Sequence, residues 1–241
     1  STHPDILPAA HKEIHYFDLH YGEGERWYRA MFPTRRRIAT AGDDGARRVV
    51  TGEASPYYLF HPLAAARAAQ TLPNARLVVL LRDPVQRAWS HYRHEVRAGR
   101  ERLGFADALA AEPARLAGAE AALRAGLANA ATLAHRTSSY VARGRYAQQL
   151  RRWLEHYPRE SLLVVQAEDL FEAPVREFGR VVEHLGVARM ARPRFEVFNA
   201  GRVTTPMDPD VQAELTEIFR EPNAELADLL GIKLSWPARV A

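Results

Sequence analysis

The chain has 241 residues, 47% of them hydrophobic and 26% charged, which is enough for one large core and makes a single domain over residues 1–241 the first expectation. It contains no cysteine, which excludes disulfides, thiolate nucleophiles and cysteine-bound zinc together. The net charge is +4, carried almost wholly by arginines spread along the chain, with Lys12 and Lys233 the only lysines; such arginines read as solvated faces and surface pairs, and no basic stripe with interleaved aromatics points to nucleic acid.

Residues 48–52 (Arg-Val-Val-Thr-Gly) are rich in β-branched side chains and predict a short strand. The alanine-rich stretch 62–71 predicts a helix, and the continuous apolar run at 76–81 predicts a strand buried on both faces. A helix over 84–98 begins with Asp83 as N-cap and Pro84 at the first helical position. Residues 105–139 are alanine-rich and helical in character, with breaks expected near Pro113 and Gly126, and read as packing in preference to a lid. Leu150, Trp153, Leu154 and Tyr157 give residues 146–157 a helical stripe, 161–165 form a second buried strand, and helices follow over 177–185 and 209–230. Strands alternating with helices imply an α/β fold with a parallel sheet. No run approaches the ~18 apolar residues that span a bilayer, and no charged-then-apolar leader opens the sequence. The expectation is a soluble, cytoplasmic protein without a membrane partner.

In a parallel α/β sheet, ligands bind outside the carboxyl ends of the strands, where loops and helix N-termini converge. Two strand ends here carry chemistry. One leads into Thr51-Gly52-Glu53-Ala54-Ser55-Pro56-Tyr57-Tyr58, the other into Leu81-Arg82-Asp83-Pro84, followed by Arg87 and Ser90-His91-Tyr92. Arg82 stands where its strand gives way to a helix, so its guanidinium and the helix N-terminus suit one anion. Ser90 and His94, four apart, share a face of that helix. A structural Arg82–Asp83 pair with a surface histidine fits the same residues.

The Arg82-Asp83-Pro84 segment with Arg87 and Ser90-His91-Tyr92 resembles the 3′-phosphate-binding segment of sulfotransferases that use 3′-phosphoadenosine 5′-phosphosulfate (PAPS), especially the heparan sulfate N- and 3-O-sulfotransferase type. Lys12-Glu13-Ile14-His15-Tyr16-Phe17-Asp18 with Trp27-Tyr28 and Phe32-Pro33, the Glu53 segment, Gly144-Arg145-Tyr146, Gly201-Arg202 with Pro206-Met207-Asp208, and Asn223-Ala224-Glu225-Leu226 resemble further family stretches in family order. The resemblance implies a P-loop-type, three-layer α/β fold with a central parallel sheet flanked by helices. It departs in three places. The family's Lys-x-Gly-Thr-Thr loop for the 5′-phosphosulfate has no counterpart, and Ser1-Thr2-His3-Pro4-Asp5 resembles the end of the helix that follows it, so a strand, that loop and most of a helix, roughly 20–25 residues, are expected to lie upstream. Ala54 and Ala200 stand where the family has lysine, and the disulfide-bearing insertion of the heparan enzymes is absent.

What the resemblance implies is transfer of a sulfuryl group from PAPS, as co-substrate and without a metal, to a hydroxyl or amine of a saccharide or other small-molecule acceptor. Glu53 is expected to take the acceptor's proton. His94 would assist it or stabilise the departing phosphate, and reads equally as an exposed helix histidine. Arg82 and Ser90 would hold the 3′-phosphate, and Ala200, Gly201, Arg202, Val203 and Thr204 would close over the nucleotide. Lys12 and Tyr57 would meet the acceptor, with a surface charge and a core aromatic as their plain alternatives. The competing functions are a nucleotide or small-molecule kinase, which shares the fold class but for which no Walker-type lysine loop or magnesium-binding strand carboxylate is visible, and a noncatalytic nucleotide-binding relative.

Overall fold

A computed structural model describes residues 3–45, 47–190, 195 and 206–236. In chain order its strands and α-helices are β1 (Ile6–Pro8), α1 (Gly24–Ala30), α2 (Arg35–Ala41), β2 (Val50–Gly52), α3 (Ala64–Thr71), β3 (Leu77–Leu81), α4 (Pro84–Arg97), α5 (Phe105–Leu116), α6 (Ala119–Arg124), α7 (Ala130–Thr137), α8 (Tyr146–Leu154), β4 (Leu162–Gln166), α9 (Ala167–Glu172), α10 (Pro174–Leu185) and α11 (Pro209–Leu230). The described residues fall into two compact units, one drawn from Ser1–Leu81 and Leu154–Ala200, the other from Arg82–Trp153 and Gly201–Ala241.

The first unit holds the four strands found among the described residues. β1 runs parallel to β2 with Ile6 opposite Val50, and β3 runs parallel to β4 with Leu77 opposite Leu162. The pairing is parallel, as the alternation of elements implies; among the described residues, however, it forms two two-stranded sheets in place of one. Strand β1 has no sequence signal, because three residues ending in proline show neither alternation nor an apolar run. Residues 4 and 5 form the turn that enters it, not the end of a helix. β4 is buried along almost its whole length, as a continuous apolar run demands. β3 is not: Val78 and Leu80 are 41% and 56% exposed, the alternation of a strand covered on one face only. Tyr157, the last residue of the stripe read onto α8, lies beyond that helix, where its hydroxyl donates to the Leu72 carbonyl at 3.0 Å.

The second unit is helical. The Asp83 carboxylate accepts from the Val85 amide at 2.8 Å and Pro84 opens α4, a cap worth about 1 kcal/mol. Val85 and Ala88 of α4 pack with Phe105 and Ala108 of α5, Tyr140, and Leu215 and Phe219 of α11 in one core. The alanine-rich stretch is three helices, and of the two breaks expected one is displaced. Pro113 lies within α5, where it removes one hydrogen bond near the end of the helix without stopping it. The chain turns at Gly126, as expected, and also at Gly118, both with φ of 71°. A Cβ on Gly144 would stand 2.6 Å from the Phe219 ring and 3.0 Å from Pro84, so only glycine permits that approach. Among the described residues no helix is long and apolar enough to cross a membrane.

Candidate active site

Glu53 follows β2 directly. Its Oε2 accepts from the Ser55 hydroxyl at 2.8 Å, and Ser55 Oγ in turn accepts the backbone amide of His15 at 3.0 Å. Glu53 Oε1 is buried and accepts no hydrogen bond among the described residues. Burial pushes the carboxyl above its ordinary pKa; the neighbouring Tyr58 and Ser55 hydroxyls oppose that rise, the Asp18 charge adds to it, and His15 opposes it.

The segment brought against Glu53 is the loop 13–18. Glu13 and His15 both take left-handed backbone conformations, with φ of 57° and 55°, positions that non-glycine residues adopt rarely and at a conformational cost. Four contacts hold them there. Ile14 is buried between them, the Tyr16 amide donates to the Tyr58 hydroxyl at 2.6 Å, the Arg67 guanidinium donates to the Phe17 carbonyl at 2.9 Å, and Tyr16 stacks on Tyr28 with ring centroids 4.5 Å apart. His15 Nδ1 then meets Asp18 Oδ2 at 2.8 Å, and its Nε2 lies 3.6 Å from Glu13 Oε2. Asp18 is fully enclosed, whereas the Glu13 side chain is 42% exposed. The result is a chain of groups, Asp18 to His15 to Glu13, whose last carboxylate reaches solvent, with Glu53 behind the His15 backbone.

The structure sorts the residues expected from sequence into two sets. Glu53 and the exposed Lys12 lie in the first unit with this cluster. Tyr57 requires a correction. The Ser55-Pro56 turn leads into a short 3₁₀ helix, Pro56–Leu59, whose phase buries Tyr57 against His61 and Phe60 at 4% exposure; Tyr57 is a core aromatic, and Tyr58 is the tyrosine that meets the cluster. Arg82, Ser90 and His94 lie in the second unit. Arg82 is exposed and its guanidinium has no hydrogen-bond or ion-pair partner among the described residues, while its carbonyl accepts from the Tyr146 hydroxyl at 2.9 Å. Ser90 and His94 are both exposed on α4, with His94 Nε2 3.9 Å from Glu95. His91, between them in sequence, turns inward, where burial first and then Arg143 and Arg87 bring its pKa down to about 2. Ala200, Gly201, Arg202, Val203 and Thr204 lie outside the described residues.

Glu13, His15, Asp18, Ser55 and Tyr58 carried no assigned role in the sequence reading. The His-x-x-Asp spacing was the available signal, since residues three apart meet wherever the backbone curls.

Residues 9–196 match the sulfotransferase domain family, and the chain belongs to it. Among curated relatives it is similar to human heparan sulfate glucosamine 3-O-sulfotransferase 3B1, 28% identical over 98% of this chain and 59% of that protein. It is also similar to mouse heparan sulfate glucosamine 3-O-sulfotransferase 6, 33% identical over 82% of this chain and 50% of that one. The chain thus spans less than two thirds of these relatives. A solved sulfotransferase from Alicyclobacillus acidocaldarius superposes with a TM-score of 0.67 and 30% identity, covering 98% of this chain and 89% of that one. The α/β class read from the residues, and the P-loop type that the resemblance implies, agree with this family's fold.

Proposed function

We propose that the protein transfers a sulfuryl group from PAPS to a hydroxyl or amine of a saccharide or other small-molecule acceptor, and that the loop 13–18 with Glu53 supplies the proton-accepting machinery. Family membership and the names of the heparan sulfate relatives support this reading. The observation that carries it is the Asp18–His15–Glu13 chain ending in a solvent-reaching carboxylate, joined at the His15 amide through Ser55 to a half-buried Glu53 whose Oε1 accepts no hydrogen bond among the described residues. A base must come within hydrogen-bond reach of the proton it takes. Glu13 offers an accessible oxygen for that task; His15, its Nδ1 held by Asp18, keeps Nε2 toward Glu13. Glu53 holds the loop through Ser55 and the His15 amide.

The exposed Arg82 guanidinium, without a partner among the described residues, and the exposed Ser90 hydroxyl fit an anion, and in this reading they hold the 3′-phosphate of the donor. The donor brings an activated sulfur–oxygen bond to a phosphate leaving group, so the protein's work is alignment, proton removal and charge stabilisation. His94 is assigned to the departing phosphate, Lys12 to the acceptor, and Ala200–Thr204 to closure over the nucleotide. The strand and phosphosulfate loop expected upstream of Ser1 are part of the same proposal.

The test is turnover with labelled PAPS alongside binding of 3′,5′-adenosine bisphosphate. Glu13→Gln is expected to lower kcat by about 10²–10⁴-fold with nucleotide affinity unchanged. Full turnover in Glu13→Gln together with its loss in Glu53→Gln would return proton abstraction to Glu53, the residue that strand-end position alone favours. Turnover intact in both variants would remove the cluster from the chemistry.

A further inference from the structure

We propose that Tyr146 is a positioning residue for the donor nucleotide: its buried hydroxyl fixes the peptide that carries Arg82, and with it the direction of that guanidinium. The inference rests on the reading of Arg82 as the 3′-phosphate contact.

Arg82 is the single residue between the end of β3 and the N-cap of α4. Everything just after it is held. Asp83 caps the Val85 amide, the Asp83 carbonyl accepts from the Arg87 amide at 2.8 Å, and Pro84 has a fixed φ. The Arg82 carbonyl itself precedes the cap, so the helix has no donor for it. The Tyr146 hydroxyl supplies one at 2.9 Å from 64 residues away. Tyr146 opens α8 and is only 4% exposed, its ring packed against Trp236. Two residues earlier, Gly144 allows Phe219 and Pro84 to close on the same segment, so residues 144–146 brace the turn at both its carbonyl and its proline.

The geometry has an electrostatic consequence. A trans peptide points its carbonyl and the following N–H in opposite directions. With the Arg82 carbonyl held on Tyr146, the negative end of that peptide dipole is committed and cannot swing toward an anion bound by the side chain. Arg82, exposed and without a side-chain partner among the described residues, takes its direction there from the backbone.

Tyr146→Phe removes one oxygen and leaves the ring on Trp236. Calorimetric binding of 3′,5′-adenosine bisphosphate at low temperature, together with steady-state kinetics, compares it with Arg82→Ala and the double variant. The expected result is a rise of about 3–10-fold in nucleotide Kd and donor KM, set by the net worth of one hydrogen bond, with kcat and acceptor KM unchanged. In the Arg82→Ala background the same substitution is expected to add nothing, since the hydroxyl acts only through that arginine. A folded Tyr146→Phe protein with unchanged nucleotide Kd, or an effect that adds fully to that of Arg82→Ala, overturns the positioning role while leaving Arg82 in place. Arg82→Ala without effect on nucleotide binding overturns the phosphate reading and this inference together.

Discussion

Two glutamates, the buried Glu101 in one unit and the half-buried Glu53 in the other, are treated in opposite ways. Glu101 of the second unit has both carboxylate oxygens saturated: Oε1 accepts the Arg102 and Leu103 amides at 2.9 and 3.0 Å, and Oε2 accepts the Tyr140 hydroxyl at 2.9 Å, with the Arg115 guanidinium across both. Burial alone would raise its pKa, but Arg115, the amides and Tyr140 carry it down to about 2. Glu53 of the first unit takes the Ser55 hydroxyl on Oε2 with the Tyr58 hydroxyl close by, has no hydrogen bond to Oε1 among the described residues, and has a pKa displaced upward. A carboxylate whose acceptor sites are all filled from its own chain is a structural joint. One left half-filled, at some cost to folding, belongs where chemistry is expected.

The contrast breaks most easily at Glu101. Glu101→Ala strands the Arg115 guanidinium and the Tyr140 hydroxyl and is expected to lower stability by about 2–4 kcal/mol. Denaturant titration measures it, and a loss below about 0.5 kcal/mol, the scale of an ordinary surface substitution, would demote the network to decoration. The pH dependence has a definite sign. The folded pKa of about 2 is below the ordinary 4.5, so the stabilisation is complete above that ordinary value and is lost as pH falls through the interval between the two.

Most of the helical frame was legible because its signals are local. Asp83-Pro84 states where α4 begins, and the bounds of α11 follow from an acidic cap before Pro209 and Gly231 after Leu230. The second half of α5 was not, since a proline near a helix end costs one bond and leaves the helix intact. Glu53 and Arg82 were legible as strand-end residues, but the cluster around Glu53 was not. It depends on left-handed φ at Glu13 and His15, which neither residue type announces, and on the 3₁₀ phase that exchanges Tyr57 for Tyr58. Such features are imposed by partners distant in sequence, here Ser55, Tyr58 and Arg67, and a chain read locally does not contain them.

Ser55 tests the other side of the contrast with a smaller effect. Ser55→Ala removes the donor to Glu53 Oε2 and the acceptor of the His15 amide together, and is expected to lower stability by about 1–3 kcal/mol. If the serine only braced the fold, turnover per folded molecule would be preserved. A loop that aligns His15 for Glu13 predicts a fall in kcat at unchanged nucleotide affinity, measured on the same samples.

The smallest effect is the most diagnostic of Glu53 itself. Its folded pKa lies above the ordinary 4.5, the reverse of Glu101, so the folded state holds this proton more tightly than the unfolded chain does. Glu53 therefore favours folding most at low pH, and that contribution is lost as pH rises from 4.5 through the raised folded value. Glu53→Gln cannot ionise. The difference in melting temperature, wild type minus variant, should fall with rising pH across that window and level off beyond it. A flat difference would mean that folding leaves the Glu53 carboxyl at its ordinary pKa, and a rising one would place Glu53 with Glu101 and remove the contrast.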